Sequence, residues 1–529
     1  MPTICAGIDL GTSNTSGCVF RNGKPDVIAL EGSSHLLPSC YAYNNGNKTE
    51  CIGSPAKTYI SNNQHFGIWK AKRMIGVPFN SFRVQNNRNL CHAPIREAAD
   101  GGVEFFNDTY GISMTPTDVA AKILQKVKEK VETFTDCDID CAVVTIPAGF
   151  TVKQREETEK AIEKAGFEKG SFAMIDEPTA SAIAFMALDH VYEGYFVMFD
   201  IGGGTFDVSV VGVKNGHISI ISHCGDESIG GVGIDKKIAK FIDEQCLDLY
   251  NHHIMDPTHR RAARNITRLM SFAERAKIDL TQLEATDLDL SAFSDVLQLE
   301  QQGYDPYDCA FKLSKAALTR LVREDVNLCV TLMHQAILEC GLTKDDITAV
   351  VLVGGTCRLD YVKTALKEYF KRSVVRETVN PDEAVCIGAC LYAHSWRNNR
   401  DQPFFLLDGH QMYIDQVVTR GIGIELAGGV MHTVIPKGTP LERKTFHVCV
   451  DTPDTKTRVM KTVLYQGNNP RVRNNTLLKE IEWSGFPGVR NYVVKFVIFI
   501  TLASKDSIVV RVEDRVNKQV YLADTEILI

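Results

Sequence analysis

The sequence lacks an apolar run long enough to span a bilayer. The stretch that comes nearest, Tyr492 to Leu502, is short and interrupted by Lys495, so no membrane span is expected. Surplus positive charge is also lacking. Against 65 acidic residues stand 58 Lys and Arg, for a net charge of −7, and this removes the electrostatic case for nucleic acid. The sixteen cysteines lack the pairing that a zinc site needs: Cys137/Cys141 and Cys386/Cys390 have i,i+4 spacing, but no second pair converges with them. An apolar strand begins at Thr3, which leaves no room for a secretory leader. The thiols are therefore expected to be reduced and buried, in a cytoplasmic protein.

What is present is organised around Asp200-Ile-Gly-Gly-Gly-Thr205-Phe-Asp207. It follows the apolar run Tyr195 to Phe199, which reads as a buried strand. Successive glycines let backbone N–H groups approach an anion with no Cβ in the way. A carboxylate at the strand end can hold a divalent cation, directly or through water. The device occurs twice, because the strand Thr3 to Ile8 runs into Asp9-Leu-Gly11-Thr12-Ser13. Two matched Asp-x-Gly loops suggest two similar lobes sharing one cleft. A chain of 529 residues is too long for one core. Its 44% hydrophobic and 23% charged residues are ordinary for a globular protein.

Along the chain, residues 1–20 read as a hairpin around Gly11 to Thr15, with further strands at Asp26 to Ala29 and Ser39 to Tyr43. Trp69 to Gly76 reads as a short glycine-closed helix, and Thr117 to Thr133 as an amphipathic helix. A strand at Cys141 to Pro147, a helix at Thr151 to Gly166, and a strand-to-helix turn at Glu177-Pro178 follow. Beyond the Asp200 loop, Gly230-Gly231 precedes a helix from Asp235 to Leu249, and residues 258–280 read as a basic amphipathic helix. Leu313 to Gly341 reads as two helices. Val350 to Val353 is a strand ending in Gly354-Gly355-Thr356-Cys357-Arg358, followed by helices from Leu359 to Phe370 and from Asn380 to Trp396. Residues 397–403 are polar, and Phe404 to Asp408 is a brief apolar patch. From Val417 to Ile529 short alternating strands replace helical periodicity, which predicts an all-β domain.

These residues suit a two-lobed α/β ATPase. Asp9 and Asp200 would hold Mg²⁺ across the cleft, mostly through its waters. The loops Gly11, Thr12, Ser13, Asn14 and Gly202, Gly203, Gly204, Thr205 would cradle the phosphates, and Gly354 to Arg358 would approach the nucleoside. Phosphoryl transfer also needs a cation near the γ-phosphate and a group that orients water. Lys72, Glu177, Thr205 and Asp207 are the candidates. Each has a plainer role beside this one. Lys72 reads as a solvated helix lysine, Glu177 as an acid at a helix start, Glu274 and Lys277 as an exposed i,i+3 pair, and Gly354-Gly355 as an ordinary turn.

A set of motifs then decides between these roles: Asp9-Leu-Gly-Thr, Ala71-Lys-Arg-Met-Ile-Gly76, Val143-Val-Thr-Ile-Pro147, Asp176-Glu-Pro-Thr-Ala180, Asp200 to Ser209, Glu274-Arg-Ala-Lys277, Leu352-Val-Gly-Gly-Thr356 and Asn380-Pro-Asp-Glu-Ala-Val385. In order and spacing the set resembles the DnaK-type heat-shock chaperones over nearly the whole chain. The resemblance implies an α/β, actin-like (ribonuclease H-like) two-lobed ATPase domain over residues 1–397, a linker at 398–408, and an all-β sandwich peptide-binding domain at 409–529. It implies ATP or ADP with Mg²⁺, and K⁺ as a further candidate cation. Lys72 would orient the water, while Glu177, Asp200, Asp207 and Thr205 would serve the metal and the transferred phosphate. Gly230, Gly231, Glu274, Lys277, Ile278, Gly354, Gly355, Thr356, Arg358 and Asp382 would complete the nucleotide site. Gly423 to Met431 resembles the family's peptide-cleft opening, so Ile424, Ala427, Val430 and Phe446 would meet peptide. Pro147, Arg155, Leu406, Leu407 and Asp408 would couple the domains. Implied partners are unfolded or extended polypeptides, J-domain proteins and nucleotide-exchange co-chaperones.

The sequence departs from the family pattern in several places. Asn14 stands where an aromatic residue is usual. Gly230-Gly-Val-Gly-Ile-Asp235 replaces Gly-Gly-Glu-Asp-Phe-Asp, and Ile278 replaces the basic residue that packs on adenine. The helical lid expected after the β domain is not in the sequence, so fast peptide release is expected. That lidless plan also resembles ribosome-associated relatives and the heat-shock homologues of plant closteroviruses. The leading reading is an ATP-dependent chaperone. The alternative is a specialised partner or regulator of chaperones, or a viral homologue serving virion assembly or movement. A filament-forming or sugar-phosphorylating relative is disfavoured by the β domain.

Overall fold

The computed structural model describes residues 4–528 apart from 45, 47, 62–65, 89–90, 399–403, 416, 419, 438, 441–443, 452–456, 468, 486–494, 505–506 and 517. The expected strand start at Thr3, residues 399–403 of the polar stretch, residues 492–494 of the apolar run, and Ile529 lie outside the described residues.

Two large sheets carry the first three quarters of the chain. In the first, Ile4–Asp9 lies parallel to Ile139–Ile146 and antiparallel to Asn14–Arg21, with Phe172–Asp176 and Lys24–Val27 outermost. Ile4–Asp9 is buried along almost its whole length, which is why it reads as an unbroken apolar run rather than an alternating one. In the second sheet, Gly194–Ile201 lies between Phe206–Lys214, antiparallel, and Ile347–Val353, parallel. The two central strands therefore reach the same place in each sheet and end in Asp9 and at Asp200-Ile201.

Helices cover both sheets, and their ends follow local chemistry. Pro116–Thr135 begins at a capping box in which Thr115 and Asp118 satisfy each other's backbone, and Val152–Lys164 begins at the same device built from Thr151 and Gln154. Glu177–Asp189 and Ala384–Asn398 share a core with strands of both sheets and so tie the lobes together. Lys315–Glu339 is one helix of 25 residues, not the two expected over Leu313 to Gly341. No Gly or Pro interrupts it, and Leu313 belongs to a preceding strand, Ala310–Ser314, paired with Ala285–Asp289. Among the described residues no helix is long and apolar enough to cross a membrane.

Phe405–Leu407 and His410–Asp415 form a hairpin, and His410–Asp415 extends the second sheet by pairing in parallel with His217–Asp226. After it come two four-stranded sheets. Ile422, Ile424, Leu464 and Trp483 from one meet Phe496, Ile498, Ile500 and Val510 from the other in a common core.

Candidate functional site

The cleft between the lobes, about 760 Å³ counting the part open to solvent, is lined by both Asp loops, Lys72, Pro147, Glu177, Asp207, Gly354, Gly355 and Asp382. Both glycine loops reach it from strand ends. A Cβ on Gly203 would lie 2.2 Å from Ser13 Oγ, so the two loops touch across the lobes and only glycine fits. Gly354 has φ +78°, and a Cβ there would lie 2.5 Å from Asp200 Oδ1. Glycine is thus required both by backbone strain and by the packing of the third loop on Asp200.

Charge in the cleft is unbalanced. Asp9, Glu177, Asp200 and Asp207 surround one ammonium, Lys72, whose Nζ lies 2.7 Å from Glu177 Oε1. Burial, and then repulsion from Glu177, push the Asp9 carboxyl up to about 7, although Lys72 and a hydrogen bond from Thr145 Oγ1 (3.3 Å) oppose the shift. The same two causes, joined by Asp207 and Asp9, raise Asp200 far above the usual carboxylate range. Burial also raises Asp207, while its hydrogen bond with Thr205 opposes the change. Buried carboxylates held this close demand a cation or protons.

The residues fit Mg²⁺ and a phosphate chain. The Ser13 hydroxyl, which lies against Gly203 of the other loop, is buried without a hydrogen-bond partner among the described residues. Among the described residues no three His, Cys, Asp or Glu side chains stand together as a metal cage. Asp9 and Asp200, one from each lobe at the cleft, suit an ion held chiefly through water by two carboxylates, as Mg²⁺ prefers.

The other expected nucleotide residues form a second ring. Thr356 Oγ1 donates to Gly202 O (3.1 Å), Lys277 Nζ to Gly231 O (3.1 Å), and Arg358 pairs with Asp382 (2.7 Å). Glu274 and Lys277 do not pair with each other. Glu274 binds Lys57 (2.7 Å) from the other lobe, and Lys277 binds Asp235 (2.7 Å). Gly230 packs on the Gly204–Thr205 peptide. Thr12 and Asn14 line the cleft, whereas Ile278 is exposed on its helix.

Of the residues expected to meet peptide, Ile424 is buried in the core of the β domain, Phe446 packs at its edge, and Ala427 and Val430 are exposed. Of those expected to couple domains, Pro147 lines the cleft and Arg155 binds Asp176 (2.9 Å). Leu407 is buried, Leu406 is exposed, and Asp408 accepts from the Tyr192 hydroxyl (2.7 Å).

Sequence reasoning missed several residues. Arg73, beside Lys72, is buried and donates to the carbonyls of Gly204 and Glu227; its position inside the Ala-Lys-Arg-Met-Ile-Gly run was the available signal. Lys437 of the β domain donates to Glu339 (2.8 Å), Ser222 Oγ (3.1 Å) and His223 O (2.9 Å) on the second lobe. His223 is largely enclosed; burial, then Arg420 and Lys437, lower it to about 4, which favours the neutral imidazole. No local pattern marks Lys437 or His223.

Two lobes that each present a carboxylate and a glycine loop to one cleft, followed by a two-sheet β domain, define a two-lobed α/β protein with an appended β module. The family model described as Hsp70 protein matches residues 5–514, and the chain belongs to the Hsp70 family, a family of ATP-binding chaperones. It is similar to a "Heat shock 70 kDa protein" of Neurospora crassa, with 31% identity over 490 residues that cover 91% of this chain and 71% of that protein.

Proposed function

We propose that this protein is an ATP-dependent molecular chaperone in which hydrolysis of ATP to ADP and phosphate, in an actin-like cleft, controls peptide binding by residues 409–529. The observation that carries the reading is the Lys72–Glu177 pair set among Asp9, Asp200 and Asp207. An ammonium fixed at the meeting point of two phosphate loops suits a γ-phosphate and an attacking water.

In this reading the loops Gly11 to Asn14 and Gly202 to Thr205 bind the phosphate chain, and Asp9 and Asp200 hold Mg²⁺. When bound, Mg²⁺ neutralises charge on the β- and γ-oxygens. Glu177 keeps the Lys72 ammonium in place, and that ammonium orients the water. Thr205, bonded to Asp207, is fixed beside the transferred group. Glu274, Lys277 and Gly354 to Arg358 shape the nucleoside side. The contacts of Lys437 with Glu339, Ser222 and His223, and the pairing of His410–Asp415 with the second sheet, support coupling of the β domain to the cleft. Unfolded or extended polypeptides are the clients, and J-domain and exchange proteins the assisting partners.

The test is the dissociation rate of a labelled, extended apolar peptide from the full chain, with and without ATP and Mg²⁺. ATP is expected to speed release. A peptide that never binds, or a release rate indifferent to ATP, would sink the reading.

A further inference from the structure

A second pocket, about 1130 Å³ counting its open part, lies behind the Gly202–Thr205 loop and shares Gly204 with the cleft. Its lining brings together four cations, Lys70, Arg73, Arg83 and Lys236, against two carboxylates, Asp226 and Glu227. Both carboxylates are engaged. Asp226 caps the Ser228 amide (2.7 Å), and Glu227 pairs with Arg83 (3.4 Å).

Lys70 is only 4% exposed. Its Nζ lies 4.6 Å above the Trp69 ring, and among the described residues it has neither a hydrogen-bond nor an ion-pair partner. The carboxylates whose fields reach it are committed elsewhere, Asp235 to Lys277 and Glu274 to Lys57. An ammonium on an otherwise buried side chain, with no anion beside it, is costly, and this one opens into the pocket it lines. Arg73 lines the pocket and packs on Gly204, which also lines the cleft. Its guanidinium holds Gly204 O and Glu227 O, while its Nε is buried with no partner among the described residues. The first turn of the 20-residue helix Gly231–Tyr250 lines the same space at Val232 and Gly233, so the positive end of its dipole adds to the field.

We propose that this pocket binds inorganic phosphate at a site separate from the γ-phosphate position, with Lys70 as its buried anchor and Lys236 at its mouth. Cations from three segments and a helix start match a multivalent oxyanion better than a single carboxylate. Gly204 lines both the pocket and the cleft, and Arg73 packs on it. The source of the phosphate is therefore the hydrolysis product, a point that rests on the ATPase reading.

The test titrates inorganic phosphate into the full-length protein by calorimetry, with the cleft saturated by Mg²⁺ and a non-hydrolysable ATP analogue. Wild type is expected to bind phosphate beside the analogue. Lys70→Met and, separately, Lys236→Glu each weaken that binding about tenfold, the loss of one charge-assisted contact, with analogue affinity unchanged. Lys236 is exposed, so its substitution leaves the core undisturbed even where Lys70→Met fails to fold. Phosphate binding that vanishes when the analogue fills the cleft, or that survives both substitutions, overturns the site. Analogue affinity is measured first, so a failed ATPase reading shows as a lost analogue signal while the phosphate titration keeps its own outcome. Phosphate release after a single turnover then tests the source. A changed release rate in Lys236→Glu, with cleavage unaltered, supports the product, and an unchanged rate overturns that source.

Discussion

Lys72 Nζ lies 2.7 Å from Glu177 Oε1 although 105 residues separate the two in sequence. The lysine sits on the short helix Ala71–Met74, and the glutamate opens the helix Glu177–Asp189. Neither side chain is more than one-fifth exposed. An ammonium so fixed needs little reorganisation when charge develops on a transferred phosphoryl group. Lys72→Ala is therefore expected to slow single-turnover ATP hydrolysis by about a thousandfold, with nucleotide affinity nearly retained. Equal cleavage rates in rapid-quench assays would remove Lys72 from the chemistry.

Asp9 offers a test on the protein without nucleotide or metal. Its pKa rises from 3.8 to about 7, first through burial and then through Glu177. The native state therefore holds this proton more tightly than the unfolded chain. The contribution is fully present below the unfolded value and is lost as pH rises to about 7, with no further loss above it. Asp9→Asn removes this dependence. The variant is expected to be the more stable protein at pH 8, by up to a few kcal/mol, with the advantage shrinking towards pH 4, while hydrolysis is lost. Unfolding midpoints of the two proteins that keep a constant separation from pH 5 to pH 8 would contradict this.

How much of this was readable beforehand depends on the range of the interaction. The strand-to-loop transitions at Asp9 and Asp200 are local, and so is the helix start at Thr151, where a side chain meets its own backbone three residues on; the helix expected from Thr117 begins slightly earlier, capped by Thr115. Those features were legible. The fate of Glu274 and Lys277 was not. Spacing makes them neighbours on one helix, yet tertiary partners, Lys57 and Asp235, outcompete the local pair. The same limit hid Lys437 and Glu339, 98 residues apart. Nothing in a short polar stretch records which distant surface it will face. The helix Lys315–Glu339 is continuous because Leu318, Val322, Val326, Cys329, Met333 and Ile337 keep one buried stripe along its whole length; the expected break has no counterpart in that stripe.

Lys437 joins the β domain to the second lobe through one ammonium with three acceptors, Glu339, Ser222 Oγ and His223 O. The lysine is mostly buried, and Glu339 is half-exposed. Lys437→Ala removes the donor that all three share, leaving Glu339 only the Ser222 hydroxyl (3.3 Å), and is expected to weaken docking by about 1–3 kcal/mol. Small-angle scattering should then report a more extended protein, and ATP should lose its influence on peptide dissociation. Single-turnover cleavage should stay within a few-fold of wild type, because Lys437 does not line the cleft. A variant that remains as compact as wild type and keeps ATP-driven release would exclude this contact as the link.

His223 lies at the same junction, with Nδ1 3.1 Å from Ser209 Oγ and Nε2 3.7 Å from Asp207 Oδ1. Arg420 and Lys437 face it and oppose its protonation, while Asp176 and Glu177 favour it, and burial outweighs them all, lowering the imidazole from 6.5 to about 4. The unfolded chain therefore takes up a proton near pH 6.5 that the native state refuses. The contribution is fully present above about 6.5 and is lost as pH falls to about 4, up to roughly 3 kcal/mol. His223→Gln has no such proton to gain. Its stability relative to wild type should improve steadily between pH 6.5 and pH 4.5 and be constant between pH 7 and pH 8. Because the charged imidazole would confront Arg420 and Lys437, acid should also loosen β-domain docking in wild type before it does so in the variant. Identical acid titrations of the two proteins, in stability and in scattering, would show that His223 is charged or exposed in solution and would overturn its burial between the domains.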